Sequence, residues 1–284
     1  MKKTAFLFAT ILILATAVPA QQVSFKIQGG WMAVQGDDYN TAISGRLDWL
    51  RAASSSFSGQ ATAFKGGLNA QAEIVTHWGR RFAVGFGGGF YTMGEDFRIT
   101  GAAAADGADF DSLYRPKLSV IPFCLNFYYK AITTSRLNVQ VFAGPVFQIA
   151  QFRLNRHTTS SAQALDEIEN FTASSPVLGA QIGAGVNVKL HRGIWLVVDG
   201  FYRFGKAADL MGNWFFYQTS PSGTVSKSNA EYFGWAYDYS SGGTYPWLGF
   251  FDSAGPSGEG FSNIRKAAID LSGLSFTAGL RIDI

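Results

Sequence analysis

Residues 21–284 predict an all-β fold, an eight-stranded antiparallel up-and-down transmembrane β-barrel with short periplasmic turns and long extracellular loops. Three observations predict it. The strands have one apolar and one polar face, down to the last residues Leu274, Phe276, Ala278, Leu280, Ile282 and Ile284 against Ser275, Thr277, Gly279, Arg281 and Asp283. Tight turns near Gly79, Thr134 and Arg192 alternate with long polar connections near Tyr39, Ala105, Ala164 and Thr224. Finally, the polar face gathers both the charges and the glycines, which suits a narrow interior and not a solvated surface.

The first twenty residues stand apart. Met1-Lys2-Lys3 is basic, Ala5 to Val18 is apolar, and Val18-Pro19-Ala20 supplies small residues for cleavage after Ala20. Residues 1–20 therefore read as a secretory signal peptide, too short for a membrane-crossing helix. No cysteine follows, which excludes a lipoprotein anchor; the single Cys124 leaves no internal disulfide. Charged residues make up 15% of the chain, against about 25% in a soluble domain, so part of the surface is expected to avoid water. Loss of Lys2 and Lys3 lowers the formal charge from +3 to +1, which gives no reason to expect nucleic acid as a partner.

The strands follow in order. Residues 23–31 set Val23, Phe25 and Ile27 against Ser24, Lys26 and Gln28. A polar connection over 35–64 contains a short helix near 41–52. Residues 65–77 oppose Leu68, Ala70, Ala72 and Ile74 to Asn69, Gln71 and Glu73, and residues 82–92 oppose Phe82, Val84, Phe86 and Phe90 to Ala83, Gly85, Gly87 and Gly89. A loop over 94–117 leads to a strand at 118–130, where Pro122 lacks a ladder donor and predicts a bulge or locally open pairing. Residues 136–152, 178–190 and 194–210 are the next strands, with a polar loop at 153–176. The longest connection, 212–265, precedes the last strand. Ile269 and Leu271 lie on the parity opposite to Leu274, which predicts a β-bulge at Ser272-Gly273.

The ionisable residues Lys26, Glu73, Lys189, Asp199, Arg203, Arg281 and Asp283 all fall on the glycine-rich face. On a lipid face a mid-depth Lys or Arg would cost about 2–4 kcal/mol, so these residues are expected to line the lumen as a charge network. Glu73 or Asp199 is expected to pair with Arg203 or Arg281. Opposite charges packed into so narrow a barrel plug it better than they conduct. Trp78, Tyr129 and Trp195 near the short turns, and Phe90, Tyr202 and Phe204 toward the loops, are placed for aromatic girdles.

No catalytic, cofactor-binding or metal site is expected. Gly85-Phe86-Gly87-Gly88-Gly89-Phe90 lacks the third glycine and following helix of a dinucleotide motif. His77, His157 and His191 are too scattered for metal ligation. His157 with Thr158, Ser160, Ser161 and Asp166 is the one hint of nucleophile chemistry, the basis for a remote reading as a lipid-modifying enzyme. The connection at 213–264 is rich in rings. Trp214, Phe216, Tyr217, Tyr232, Trp235, Tyr237, Tyr245 and Trp247 form a candidate recognition surface or a cap over the mouth.

The signal peptide, the eight two-faced strands, the small inner positions Gly85 to Gly89 and the ending Leu280-Arg281-Ile282-Asp283-Ile284 resemble the small outer-membrane β-barrel superfamily typified by OmpA, OmpW and OmpX. Ile284 stands where members typically end in Phe or Trp. The resemblance implies the bacterial outer membrane of a Gram-negative cell, outer-membrane lipids and lipopolysaccharide as neighbours, and the barrel assembly machinery as a partner in biogenesis. It also implies one of two roles: a non-enzymatic structural or surface-recognition protein with an extracellular ligand, or an OmpW-like narrow or gated channel for small or apolar solutes.

Overall fold

The structure, a computed structural model, describes residues 22–53, 56–59, 64–102, 109–161, 164–240 and 243–284. The predicted signal peptide at 1–20 lies outside the described residues. The elements in chain order are β1 (Gln22–Ala33), α1 (Asp37–Ala53), β2 (Ser58–Gly59), β3 (Gly66–Trp78), β4 (Phe82–Met93), β5 (Phe97–Ala102), β6 (Asp109–Thr133), β7 (Leu137–Ser160), β8 (Leu165–His191) and β9 (Ile194–Phe204). There follow β10 (Lys206–Ala207), β11 (Met211–Ser220), β12 (Gly223–Ser240), β13 (Thr244–Phe251), β14 (Phe261–Lys266), β15 (Ile269–Asp270) and β16 (Gly273–Asp283).

Antiparallel pairing runs in a closed circuit. β1 pairs with β3, β3 with β4, β4 with β6, β6 with β7, β7 with β8, β8 with β9 and β9 with β16, and β16 returns to β1 with Ile27 opposite Leu280. Closure leaves this ring no free edge, so each of its strands is paired on both sides. The start of β1 and the end of β16 meet at the short-turn end, where the Ile284 N–H donates to the Val23 carbonyl at 2.8 Å.

Side chains alternate outward and inward along the ring strands. Outside are large apolar residues in the open, among them Phe25, Ile27, Ile74, Phe82, Phe127, Ile182, Leu196 and Phe276. Inside are Ser24, Lys26, Gln28, Asn69, Glu73, Asn126, Gln181, Asp199 and Arg203, all buried. This is the reverse of a water-soluble protein.

The reversal ends partway up the strands. On β7, Leu137, Val141, Phe147 and Ile149 face out and Asn138, Gln140 and Gln148 face in; beyond Ile149 the outward residues become Arg153, Asn155 and His157, while Ala150, Phe152 and Leu154 turn in. The parity never slips; only the chemistry exchanges sides. The same exchange occurs on β6 between Ser119 and Ile121 and on β8 between Pro176 and Leu178. Ile121 pairs with Ile149, and Ile149 pairs with Pro176, so the boundary forms one level across neighbouring strands.

Above that level the inward residues build an apolar core of Met32, Tyr91, Leu118, Val120, Phe152 and Phe171, into which α1 inserts Tyr39, Ile43, Leu47 and Leu50 at helical spacing. α1 carries Asp37 and Asp38 in its first turn and Arg51 in its last, charges matched to the helix dipole. It lies against β13 at Gly45, where a Cβ would stand 2.2 Å from the Pro246 carbonyl oxygen.

Three predicted connections are therefore strand. Residues 94–117 include β5 and the first part of β6, and residues 153–176 continue β7 and β8 as a paired hairpin. Residues 212–265 form β11 to β14, with β11 on β8 and β12 between β11 and β13, and not an open loop. Their outward residues, such as Arg115, Arg153 and Asn155, are polar, so polarity alone misassigns them to loops. Opposite Pro122 the β4–β6 ladder is interrupted between Gly88↔Phe123 and Tyr91↔Val120, an open pairing without a register shift. The expected bulge at Ser272-Gly273 is instead a break: β15 leaves the ring to pair with β10, which sends Ile269 and Leu271 into the upper core. Trp195 departs from the girdle expectation, since it is buried inside the barrel and donates to Asp283.

Candidate functional site

Below the boundary level the inward side chains include a hydrogen-bonded group centred on Lys26, beside an apolar cluster of Phe142, Phe201 and Val75. β1, β3 and β9 carry Lys26, Glu73 and Asp199 on their inward faces, and Lys26↔Glu73 is a directly opposed pair in the β1–β3 register. The Lys26 ammonium lies 2.6 Å from Glu73 and 3.3 Å from Asp199, with side-chain exposures of 4%, 4% and 0%. It also donates to the Tyr128 hydroxyl at 2.7 Å, and that hydroxyl donates to Glu73 at 2.6 Å. Gln28 donates to Asp199 and accepts from Gln71, both at 2.9 Å.

The group continues toward the loop end. Asn126 donates to Glu73 at 2.9 Å and accepts from Gln181 at 2.7 Å, and the Gln181 carbonyl accepts from Arg203 at 3.1 Å. Arg203 is fully buried and meets no carboxylate among the described residues; its guanidinium lies over the rings of Phe201 and Tyr91 at 5.2 and 5.5 Å. The Tyr91 hydroxyl in turn donates to Gln148 at 2.9 Å. Buried charges are tolerable where each has such partners.

The expected pairing of Glu73 or Asp199 with Arg203 or Arg281 is thus corrected. Lys26 takes both acids because it stands between them on the ring, whereas Arg281 pairs with Asp283 at 3.0 Å, two residues along its own inward face. Asp283 also accepts from Ser24 and Trp195, each at 2.8 Å, and Ser24 meets His77 Nε2 at 2.8 Å. Lys189 lies outside the network altogether. It is exposed at the short-turn mouth with its ammonium 5.6 Å from the Trp195 ring.

The neutral members Tyr128, Gln28, Asn126, Gln181, Gln148 and Tyr91 were not singled out by charge. Inward parity was the signal that could have found them, since Tyr128 sits between the outward Phe127 and Tyr129. Two glycines make room for the acids: a Cβ on Gly85 would stand 2.0 Å from Glu73 Oε1, and one on Gly185 would stand 1.8 Å from Asp199 Oδ1. At these two positions a side chain would occupy the space that the carboxylate takes.

The ring-rich segment is packed onto itself and onto α1. Trp214 stacks with Tyr232 at 5.0 Å and Phe216 at 5.6 Å and donates to Glu169; Tyr237 meets the edges of Phe251 and Phe261. Trp247 lies edge-on to Trp49 of α1 at 5.4 Å, and Trp235 donates to the Asp252 carbonyl. Tyr217 accepts from Thr219, and Tyr245 is half-buried on β13. These rings make a lid whose parts are fixed by one another.

One clamp joins α1 to β14. Asp38 of α1 accepts two bonds from the Arg265 guanidinium on β14 and one from the Ala268 N–H. Burial opposes ionisation of Asp38, but the Arg265 and Ala268 donors outweigh it and hold the carboxyl below the usual range. A depressed folded-state value means that its stabilisation is complete above the unfolded value of about 4 and is lost as pH falls through the lower one. Between pH 5 and roughly pH 2, the thermal midpoint is therefore expected to fall less in Asp38→Asn than in the natural chain. Equal slopes would show that the clamp does not titrate.

Among the described residues no group of three or more His, Cys, Asp or Glu is arranged to hold a metal, and His157 meets Asp166 at 2.7 Å on an exposed hairpin. No helix among them is long and apolar enough to cross a membrane.

No family model matches the chain, and no curated protein matches it. Among solved structures it is similar to a major outer membrane protein from Thermus thermophilus, at 15% identity and a TM-score of 0.41 over 93% of this chain and 100% of that one. It is similar also to the outer membrane protein OprG from Pseudomonas aeruginosa, at 12% identity and TM-score 0.37 over 92% and 95% of the two chains. The outer membrane protease OmpT from Escherichia coli follows at 9% identity and TM-score 0.34 over 93% and 96%. All three are outer membrane proteins by name; the barrel here is assigned from its own strand pairing.

Proposed function

We propose that this chain is a non-enzymatic outer-membrane protein whose eight ring strands cross the bilayer, whose lumen is closed, and whose raised lid is its working surface. The observation that carries the closed lumen is the Lys26, Glu73, Asp199 and Tyr128 group, desolvated and bonded between β1, β3, β6 and β9. The outward apolar belt supports the membrane placement, because an apolar surface of this extent is expelled by water. Closure supports it too, since a strand can cross hydrocarbon only if both its edges are paired.

The short turns then face the periplasm and the lid faces outward, after export by the signal peptide and insertion by the barrel assembly machinery. The lid meets lipopolysaccharide at its polar outer wall and an extracellular ligand through its ring-rich strands. Structural support and recognition are the roles left to a barrel that does not conduct.

Planar-bilayer recording of the purified chain tests this reading. No conductance above the lipid baseline is expected, and none after deletion of 37–53, because the charge group lies below α1. Reproducible single-channel steps from the natural chain would instead establish the narrow or gated channel.

A further inference from the structure

Under α1, where it meets β13, lies a cavity of about 220 Å³. Tyr39 and Arg46 of α1, Tyr114 of β6 and Arg156 of β7 supply its polar wall, and Trp247 and Phe250 of β13 supply aromatic faces. Two buried polar atoms in this wall, Tyr39 Oη and Arg46 Nε, have no hydrogen-bond partner, while the Tyr114 hydroxyl and the Arg156 guanidinium lie against one another. Each of the first two carries a hydrogen to donate, and native interiors rarely leave such groups unmet.

The acids nearby are already engaged. Arg156 holds both Glu167 and Glu169, and the second oxygen of Glu169 accepts from Trp214. Arg46 has no carboxylate at ion-pair distance among the described residues; its guanidinium rests over the rings of Trp247 at 4.9 Å and Tyr114 at 5.5 Å. The wall therefore offers one positive charge without an ion-pair partner among the described residues and more donors than acceptors, its uncharged acceptors being the Tyr39 and Tyr114 hydroxyls. A carboxylate, with two oxygens and about four lone-pair sites, answers that set.

The remaining wall, with Ile43, Leu154 and Leu248, is apolar and calls for a body without polar atoms. A cavity of about 150 Å³ holds benzene. The volume here thus suits a ring with one carboxylate, roughly nine non-hydrogen atoms. Arg46, Trp247 and Phe250 are only half-buried, so this wall reaches solvent.

We propose that the cavity is a binding site for a small aromatic monocarboxylate, its oxygens on Arg46, Tyr39 and Tyr114 and its ring against Trp247 and Phe250. This goes beyond the closed-barrel reading and does not depend on it, since conductance does not report on the cavity.

Calorimetric titration of the full chain, folded in detergent, with sodium benzoate tests it against acetate and benzyl alcohol, which keep only the charge or only the ring. Benzoate is expected to bind one saturable site, and each half-probe at least about tenfold more weakly. Arg46→Gln is expected to weaken benzoate about tenfold or more. Tyr39→Phe keeps the ring that packs on Phe64, so it serves if Arg46→Gln does not fold. It is expected to weaken benzoate severalfold while raising the thermal midpoint of the free chain, because an unmet hydroxyl is removed. Absence of saturable benzoate binding, binding indifferent to both substitutions, or a lowered free midpoint in Tyr39→Phe would overturn the assignment and leave a water-filled cavity.

Discussion

Replacing Lys26 with methionine is expected to lower the stability of the folded barrel by about 3–5 kcal/mol, the range for breaking a buried ion pair by removing one partner. The size follows from position. Lys26 is the cation shared by Glu73 and Asp199, at 2.6 and 3.3 Å, and neither acid has appreciable access to water. Their other partners, Asn126, Tyr128 and Gln28, supply hydrogen bonds but no charge. Removing all three charges together, in Lys26→Met with Glu73→Gln and Asp199→Asn, is expected to recover most of the loss, since it leaves no uncompensated ion. Urea unfolding from lipid vesicles reads both variants. Lys189→Met is the control, because Lys189 stands exposed at the turn end. A loss for Lys26→Met no larger than for that control would mean that the group is not what fills and holds the lumen.

Ile182→Arg is expected to cost about 2–4 kcal/mol in the same vesicles, the penalty for an arginine held at mid-depth on a lipid face. Ile182 points outward from β8 within the apolar belt, 56% exposed, so the substitution breaks no packing inside the barrel. In a water-soluble barrel the same change would be close to neutral or favourable. Thr172→Arg, outward on the same strand above the level where the polarity exchanges, is expected to cost almost nothing. The contrast between two sites on one strand locates the edge of the hydrocarbon. If Ile182→Arg and Thr172→Arg behave alike, the belt does not meet lipid.

Much of this architecture is legible along the chain because a strand alternates with a period of two. Each stretch such as 178–190 declares its own two faces, and the side that takes both charge and glycine must be the confined one. That reasoning places Lys26, Glu73, Asp199 and Arg203 inside without reference to any neighbour. It fails where the two environments trade places. Residues 153–176 still alternate, but the apolar members Leu154, Phe171 and Ala173 lie inside, together with Arg156 and Glu169, while Arg153, Asn155 and His157 face out. Read with the lower rule, such a stretch is merely polar and passes for a loop.

Parity along a single segment is a local property, so the residues alone settled the two faces of each lower strand, the apolar belt and where the tight reversals fall, though not the burial of Trp195 or the exposure of Lys189. Partner choice is not local. That Lys26 and not Arg281 serves both acids, that α1 fills the upper mouth, and that Tyr39 and Arg46 share one cavity with Trp247 all depend on segments far apart in the chain arriving at the same height. Ring closure and register set those distances, and no alternation within one strand encodes them.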